Sequence, residues 1–137
     1  MNLPVADLER SKAFFAKLGF SFNPMSTDET GACMLVGEHA FVMLLTRERF
    51  GEIAKLPIAD PSTHTLALYG FRVSSRDEVD EVGAAALAAG GSEADAAEDY
   101  GFMYSRSFLD LDGNGWQVIW MDAAAEPAPE VATSDQR

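Results

Sequence analysis

Apolar positions along this chain switch between two spacings, and the switches repeat. Leu3 and Val5 alternate with their neighbours over residues 2–6, as in a half-buried strand. Leu8, Ser11, Phe14, Phe15 and Leu18 then recur at helical spacing. Asp7 stands where an N-cap is wanted, and Gly19 where a helix ends in the left-handed region. A strand is expected from Phe20, and two more at 32–36 and 40–45 form a hairpin around Gly37, Glu38 and His39. Residues 46–56 read as a short helix or ordered loop with Phe50 and Ile53 as apolar anchors, and Phe50 as a possible lid. Pro57 and Pro61 mark 57–63 as a connector.

The same order then returns. Residues 65–73 read as a strand, and 75–89 as a helix with Val79, Val82, Ala86 and Leu87 inward, stopped at Gly90 and Gly91. Strands are expected at 102–109 and 116–121, joined by the turn Asp110-Leu111-Asp112-Gly113-Asn114-Gly115. Residues 91–99 should supply one more strand, although Ala94 to Ala97 are poor strand formers. Leu3-x-Val5 aligns with Phe71-x-Val73, and Leu18-Gly19 with Ala89-Gly90. The pattern predicts an α+β fold of two βαβββ modules, residues 1–56 and 64–122, forming a curved, cleft-bearing mixed sheet with the helices outside. One half cannot bury both faces of its sheet, so the two must pack together. Residues 123–137 are rich in Ala, Pro and Glu and are expected to be a disordered acidic tail.

Charge narrows the partners. Net charge is -12 with 47% hydrophobic residues, an ordinary core under a surface that repels phosphate backbones. Nucleic acid is therefore not expected. Cys33 is the one cysteine and sits in an apolar run, so it reads as a buried thiol outside any disulfide within the chain. No stretch is apolar enough to span a membrane and no signal peptide is visible, which makes the cytoplasm the expected compartment.

Two motifs carry a resemblance. The opening Leu3-Pro4-Val5-Ala6-Asp7-Leu8-Glu9-Arg10-Ser11, with Phe14-Phe15 and Leu18-Gly19-Phe20, resembles the first βα unit of the vicinal oxygen chelate superfamily. The closing Phe108-Leu109-Asp110-Leu111-Asp112-Gly113-Asn114-Gly115-Trp116-Gln117-Val118 resembles its final hairpin. That superfamily holds glyoxalase I, bleomycin and fosfomycin resistance proteins and extradiol dioxygenases. The run from Asp99 to Phe108 is also similar to a bacterial glyoxalase-like subgroup. The fold hosts many chemistries, so the resemblance implies a fold before it implies an activity.

Metal-dependent members hold the ion with four His, Glu or Gln side chains. The resemblance places the first ahead of Met1, and the others at about Met43, at Leu68 and at Gln117. A thioether, an alkyl chain and a neutral amide do not suit a hard dication. Neither a metal nor any other cofactor is therefore expected. His64 shares a strand face with Leu68 by period two, and His39 sits at a hairpin tip.

Strand alternation assigns Leu3, Val5, Phe71, Val73, Trp116 and Val118 to the helix-facing core, and Asn2, Pro4, Phe41, Met43, Leu45, Leu66, Leu68, Gly70, Arg72, Gln117 and Ile119 to the cleft. The cleft then reads as an apolar small-molecule site, or as a barrel filled by its own side chains. Arg72 either clamps a carboxylate or phosphate or pairs with a nearby acid, and Tyr104 and Arg106 invite the same two readings. Tyr100 and Phe102 either stack on a flat ligand or cover the pocket mouth. The expectation is a metal-free protein that binds and sequesters a small molecule, cationic or aromatic, and forms a homodimer, as the resemblance implies. The alternative is a metal-dependent lyase or dioxygenase of the same superfamily.

Overall fold

The structure, a computed structural model, describes residues 1–125. β1 (Asn2–Val5) leads into α1 (Leu8–Lys17), then β2 (Ser21–Asn23), a 3-10 turn, β3 (Gly31–Gly37) and β4 (Ala40–Thr46). After α2 (Arg47–Ile53) and the connector come β5 (Leu68–Arg72), α3 (Arg76–Ala88), β6 (Ser92–Asp99), β7 (Met103–Leu109) and β8 (Gly115–Met121). Two four-stranded sheets result, ordered β1-β4-β3-β2 and β5-β8-β7-β6. In each, the strand before the helix pairs parallel with the last strand, and the remaining pairs are antiparallel. The α+β class and the repeated strand–helix–three-strand order are as the periodicity predicts.

Local signals explain the helix ends. The Asp7 carboxylate accepts the Arg10 N–H, and the Ser75 hydroxyl accepts the Glu78 N–H, so both long helices are side-chain capped. Gly19 and Gly90 take φ of 102° and 103° at the two C-termini, a region costly for any residue with a Cβ.

The halves share one core. Leu3, Val5, Ala32, Met34, Val42 and Leu44 from the first sheet meet Phe108, Trp116 and Val118 from the second, with α1 and α3 packed on them. Ring contacts carry the join: Phe15 lies 5.0 Å from Trp116, Phe20 5.0 Å from Phe71, and Phe14 6.2 Å from Phe108. Helix α1 thus covers strands of the other half, which is why neither half has a complete core alone.

Several expectations shift. β5 starts at Leu68 and not at 65, because the chain before it is held in a turn at Asp60 to His64. His64 therefore lies outside the strand. β6 forms despite its alanines, exposed along its whole length and pinned by its register with β7. Its Glu93, Asp95, Glu98 and Asp99 make it an edge that resists further pairing. In α2, Phe50 is half-buried while Ile53 is exposed, so one of the two expected anchors does not pack. Residues 123–125 form a 3-10 turn, and the remainder of the expected tail lies outside the described residues.

Candidate functional site

The connector between the halves builds a concavity. The Thr46 hydroxyl caps α2 by accepting the Arg49 N–H, and the Ala54 N–H donates back to the Phe50 carbonyl. From there residues 54–67 run without helix or strand. Pro57 and Pro61 preset the path. A turn at Asp60 then reverses it: the Asp60 carboxylate accepts both the N–H (2.9 Å) and the hydroxyl (2.7 Å) of Ser62, and its carbonyl accepts the N–H of Thr63 and His64. Those two Ser62 bonds hold the Asp60 carboxyl below the usual carboxylate value.

Between this segment and the sheets lies a cavity of about 550 Å³. Asn2, Leu3 and Pro4 of β1 and Tyr69 of β5 form its floor with the turn at Gly113 to Gly115. Phe50 forms a wall, and Leu56, Pro57, Ile58 and Leu66 an apolar lip. Leu56 is 80% and Leu66 87% exposed, so the lip opens to solvent. The wall is mostly hydrocarbon with a few polar groups, the usual make-up of a small-molecule site. Burial, aided by the Asp110 charge, pushes the Tyr69 hydroxyl up, which keeps it a neutral hydrogen-bond donor.

One carboxylate shapes the floor. Asp110 Oδ1 accepts the backbone N–H of Asp112 (2.9 Å), Gly113 (3.0 Å) and Asn114 (3.0 Å), and Oδ2 accepts Asn114 Nδ2 (3.1 Å) and Trp116 Nε1 (2.8 Å). The Asp112 carboxylate accepts the Ala6 N–H at 2.8 Å, tying the end of β1 to this turn. Gly113, at φ 101°, packs against the Pro61 carbonyl, where an added Cβ would come within 3.0 Å. The closing motif thus builds the joint between halves and connector. Its acids serve the backbone and the side chains of Asn114 and Trp116.

The sequence-predicted residues divide between two faces. Phe41 and Met43 lie on the face of the first sheet away from the helices, and Leu68, Arg72 and Gln117 on the equivalent face of the second. None of these five lines the connector cavity, whereas Asn2, Pro4 and Leu66, also assigned to the cleft, do. Tyr104 and Arg106 are on the opposite, helix-facing side, because they share strand parity with buried Phe108. There the Tyr104 hydroxyl donates to Asp80 Oδ1 (2.6 Å), a bond that raises its pKa, and Arg106 donates to the Asp80 carbonyl (3.2 Å). Arg76 lies 4.8 Å over the Tyr104 ring and pairs with Asp99. Both residues therefore pin α3 to β7 and do not face the cleft. Tyr100 and Phe102 pair at 6.5 Å in the β6–β7 turn, exposed and away from the cavity.

Among the described residues no group of three or more His, Cys, Asp or Glu is placed to hold a metal ion. At the positions where the resemblance places metal ligands, Met43, Leu68 and Gln117 offer a thioether, an alkyl chain and an amide, which do not fit a hard dication. His39 is exposed at its hairpin tip, and His64 bonds its neighbour Thr63 at 2.7 Å. Cys33 is buried. No described helix is long and apolar enough to cross a membrane.

Sequence reading missed Leu56, Ile58, Tyr69 and Asn114 as lining residues. The available signal was the run Leu56-Pro57-Ile58-Ala59, too apolar for an idle surface loop.

Residues 1–37 match the family described as bleomycin resistance protein-like N-terminal. No curated protein matches the chain. Solved structures of the same fold include a hypothetical protein, SA1046, from S. aureus, 24% identical over 87% of this chain and 89% of that one, TM-score 0.75. A glyoxalase/bleomycin resistance protein/dioxygenase family enzyme from Burkholderia phytofirmans PsJN is 16% identical over 88% and 95%, TM-score 0.72. The fosfomycin resistance protein FosX from Listeria monocytogenes is 16% identical over 90% and 92%, TM-score 0.63.

Proposed function

We propose that this chain, a protein of the vicinal oxygen chelate fold, binds a small, largely apolar organic molecule in the cavity beneath its connector. The observation that carries this reading is the cavity: about 550 Å³, within the range of ligand pockets, preformed and open at an apolar lip. Its wall supports binding ahead of catalysis. His64, Lys55 and the Tyr69 hydroxyl are its titratable groups, with no carboxylate among its lining residues. General acid–base work needs a group with a proton partner aimed at the reacting atom. His64 instead bonds the adjacent Thr63 hydroxyl.

The names of relatives with this fold include an antibiotic resistance protein, which supports small-molecule recognition as the theme. Pairing with a second copy, the arrangement the family resemblance implies, would cover exposed Leu35, Phe41 and Leu68, and light scattering of the purified chain reads it.

Ligand binding is tested by tryptophan fluorescence. Trp116 lies 5.1 Å from Tyr69, and Tyr69 lines the cavity, so occupancy is expected to change Trp116 emission. Titration of a neutral naphthalene such as 2-naphthalenemethanol should give a saturable change that Leu66→Glu weakens at least tenfold. Leu66 is exposed, so that variant should fold. A linear, unsaturable response, or saturation unaffected by Leu66→Glu, would sink the reading.

A further inference from the structure

We propose that the connector cavity selects apolar ligands ending in an anionic group, such as an aromatic or aliphatic carboxylate, and disfavours cations. The inference rests on the binding reading above and adds the charge of the guest. It runs against the net charge of the chain, which taken alone points to cationic guests.

The first observation is compositional. The chain holds 22 Asp and Glu among 137 residues, yet none lines the cavity. The basic side chains that do line it are Lys55 and His64, both from the connector. A cavity walled mostly by hydrocarbon, next to an ammonium and an imidazole, offers a cation no carboxylate to pair with. Desolvating an unpaired cation there costs free energy that burial of its apolar body must offset.

The second observation concerns the acids just outside the wall. Each is already turned toward N–H or O–H donors of its own. Asp60 receives Ser62 through two bonds, Asp110 is saturated by its turn and by Trp116, and Asp112 receives Ala6. One oxygen of Asp60, one of Asp112 and both of Asp110 are taken up in this way.

The third is the sense of the remaining polar groups. Tyr69, Asn2 and Asn114, which carry a hydroxyl and two amides, are among the lining residues. Asn114 donates one Nδ2 hydrogen to Asp110, which leaves a second. Donors of this kind favour a carboxylate or sulfonate oxygen at the end of the guest.

The experiment compares three probes of one shape by fluorescence titration of the full chain: 2-naphthoate, 2-naphthalenemethanol and 2-naphthylmethylammonium. Naphthoate is expected to bind at least tenfold more tightly than the ammonium, a difference of about 1.4 kcal/mol. Lys55 is exposed, so Lys55→Glu should fold as the parent does. It is expected to lower the ratio of naphthoate to ammonium affinity at least tenfold. If the ammonium binds as tightly as naphthoate, or if Lys55→Glu leaves their ratio unchanged, the charge preference is overturned while the binding site stands. If the alcohol also fails to saturate, both fall together.

Discussion

Asp110→Ala removes one acceptor from several donors at once. Asp110 is 6% exposed and Trp116 2%, so the Trp116 Nε1–H would lose its partner at a buried position. An unsatisfied buried donor costs about 1–3 kcal/mol. The N–H groups of Asp112, Gly113 and Asn114 are half-buried and recover part of their bonding from water, so together they contribute roughly 2 kcal/mol. The sum is about 3–5 kcal/mol, a large share of the ~5–15 kcal/mol that holds a typical domain together. Urea denaturation followed by tryptophan emission measures it. With a slope of about 1.5–2 kcal/mol per molar, the midpoint should fall by roughly 2 M. Asp110→Asn keeps one acceptor oxygen but turns an NH2 toward a donor, so it should lose about half as much. A double-mutant cycle with Trp116→Phe should return a coupling of about 1–2 kcal/mol, because both variants break the 2.8 Å bond. A loss under about 1 kcal/mol for Asp110→Ala, or additivity in the cycle, would show that the turn is held by its backbone bonds and not by this carboxylate. Gly113, Asn114 and Gly115 line the cavity, so a loosened turn should also weaken probe binding.

Two further outcomes follow from the same joint. Burial raises the Asp112 pKa above its usual 3.8, with the Ala6 N–H opposing and the Asp110 charge adding to the rise. The folded state then takes up a proton before the unfolded state does, so this group's contribution is greatest at low pH and is lost as pH rises through the folded value. Asp112→Asn keeps an oxygen for the Ala6 N–H, and should raise the melting temperature at neutral pH and leave it unchanged near pH ~3. Gly91→Ala would place a Cβ 2.6 Å from the Leu109 carbonyl oxygen and 2.9 Å from that of Ala86, both backbone atoms that cannot swing aside. It should cost about 2–3 kcal/mol in urea denaturation, and a loss below about 0.5 kcal/mol would mean that the α3–β7 contact is looser than the geometry implies.

Legibility in the sequence follows the range of the forces involved. The cap at Asp7 and the helix stops at Gly19 and Gly90 depend on residues three or four positions away, so they can be read directly. The core faces of β1, β5 and β8 follow from alternation for the same reason. Leu3, Val5, Trp116 and Val118 are buried, and Phe71 and Val73 pack partly against them. Alternation also contained the placement of Tyr104 and Arg106, since Phe108 sets the parity of β7. The apparent attraction of an arginine and a tyrosine to a cleft obscured it.

Other features depend on segments far apart in the chain. Residues 54–67 have neither period nor cap, and only their packing over β1 and the Gly113 turn turns an apolar connector into the wall of a cavity. β6, poor in strand formers, is a strand because β7 offers it a ladder. The sequence by itself determined two βαβββ halves and a shared core, because helix and strand periods are local. Tertiary structure alone decided that the open space lies beneath the connector and carries no carboxylate, because that depends on which side chains a non-periodic segment brings against the sheets.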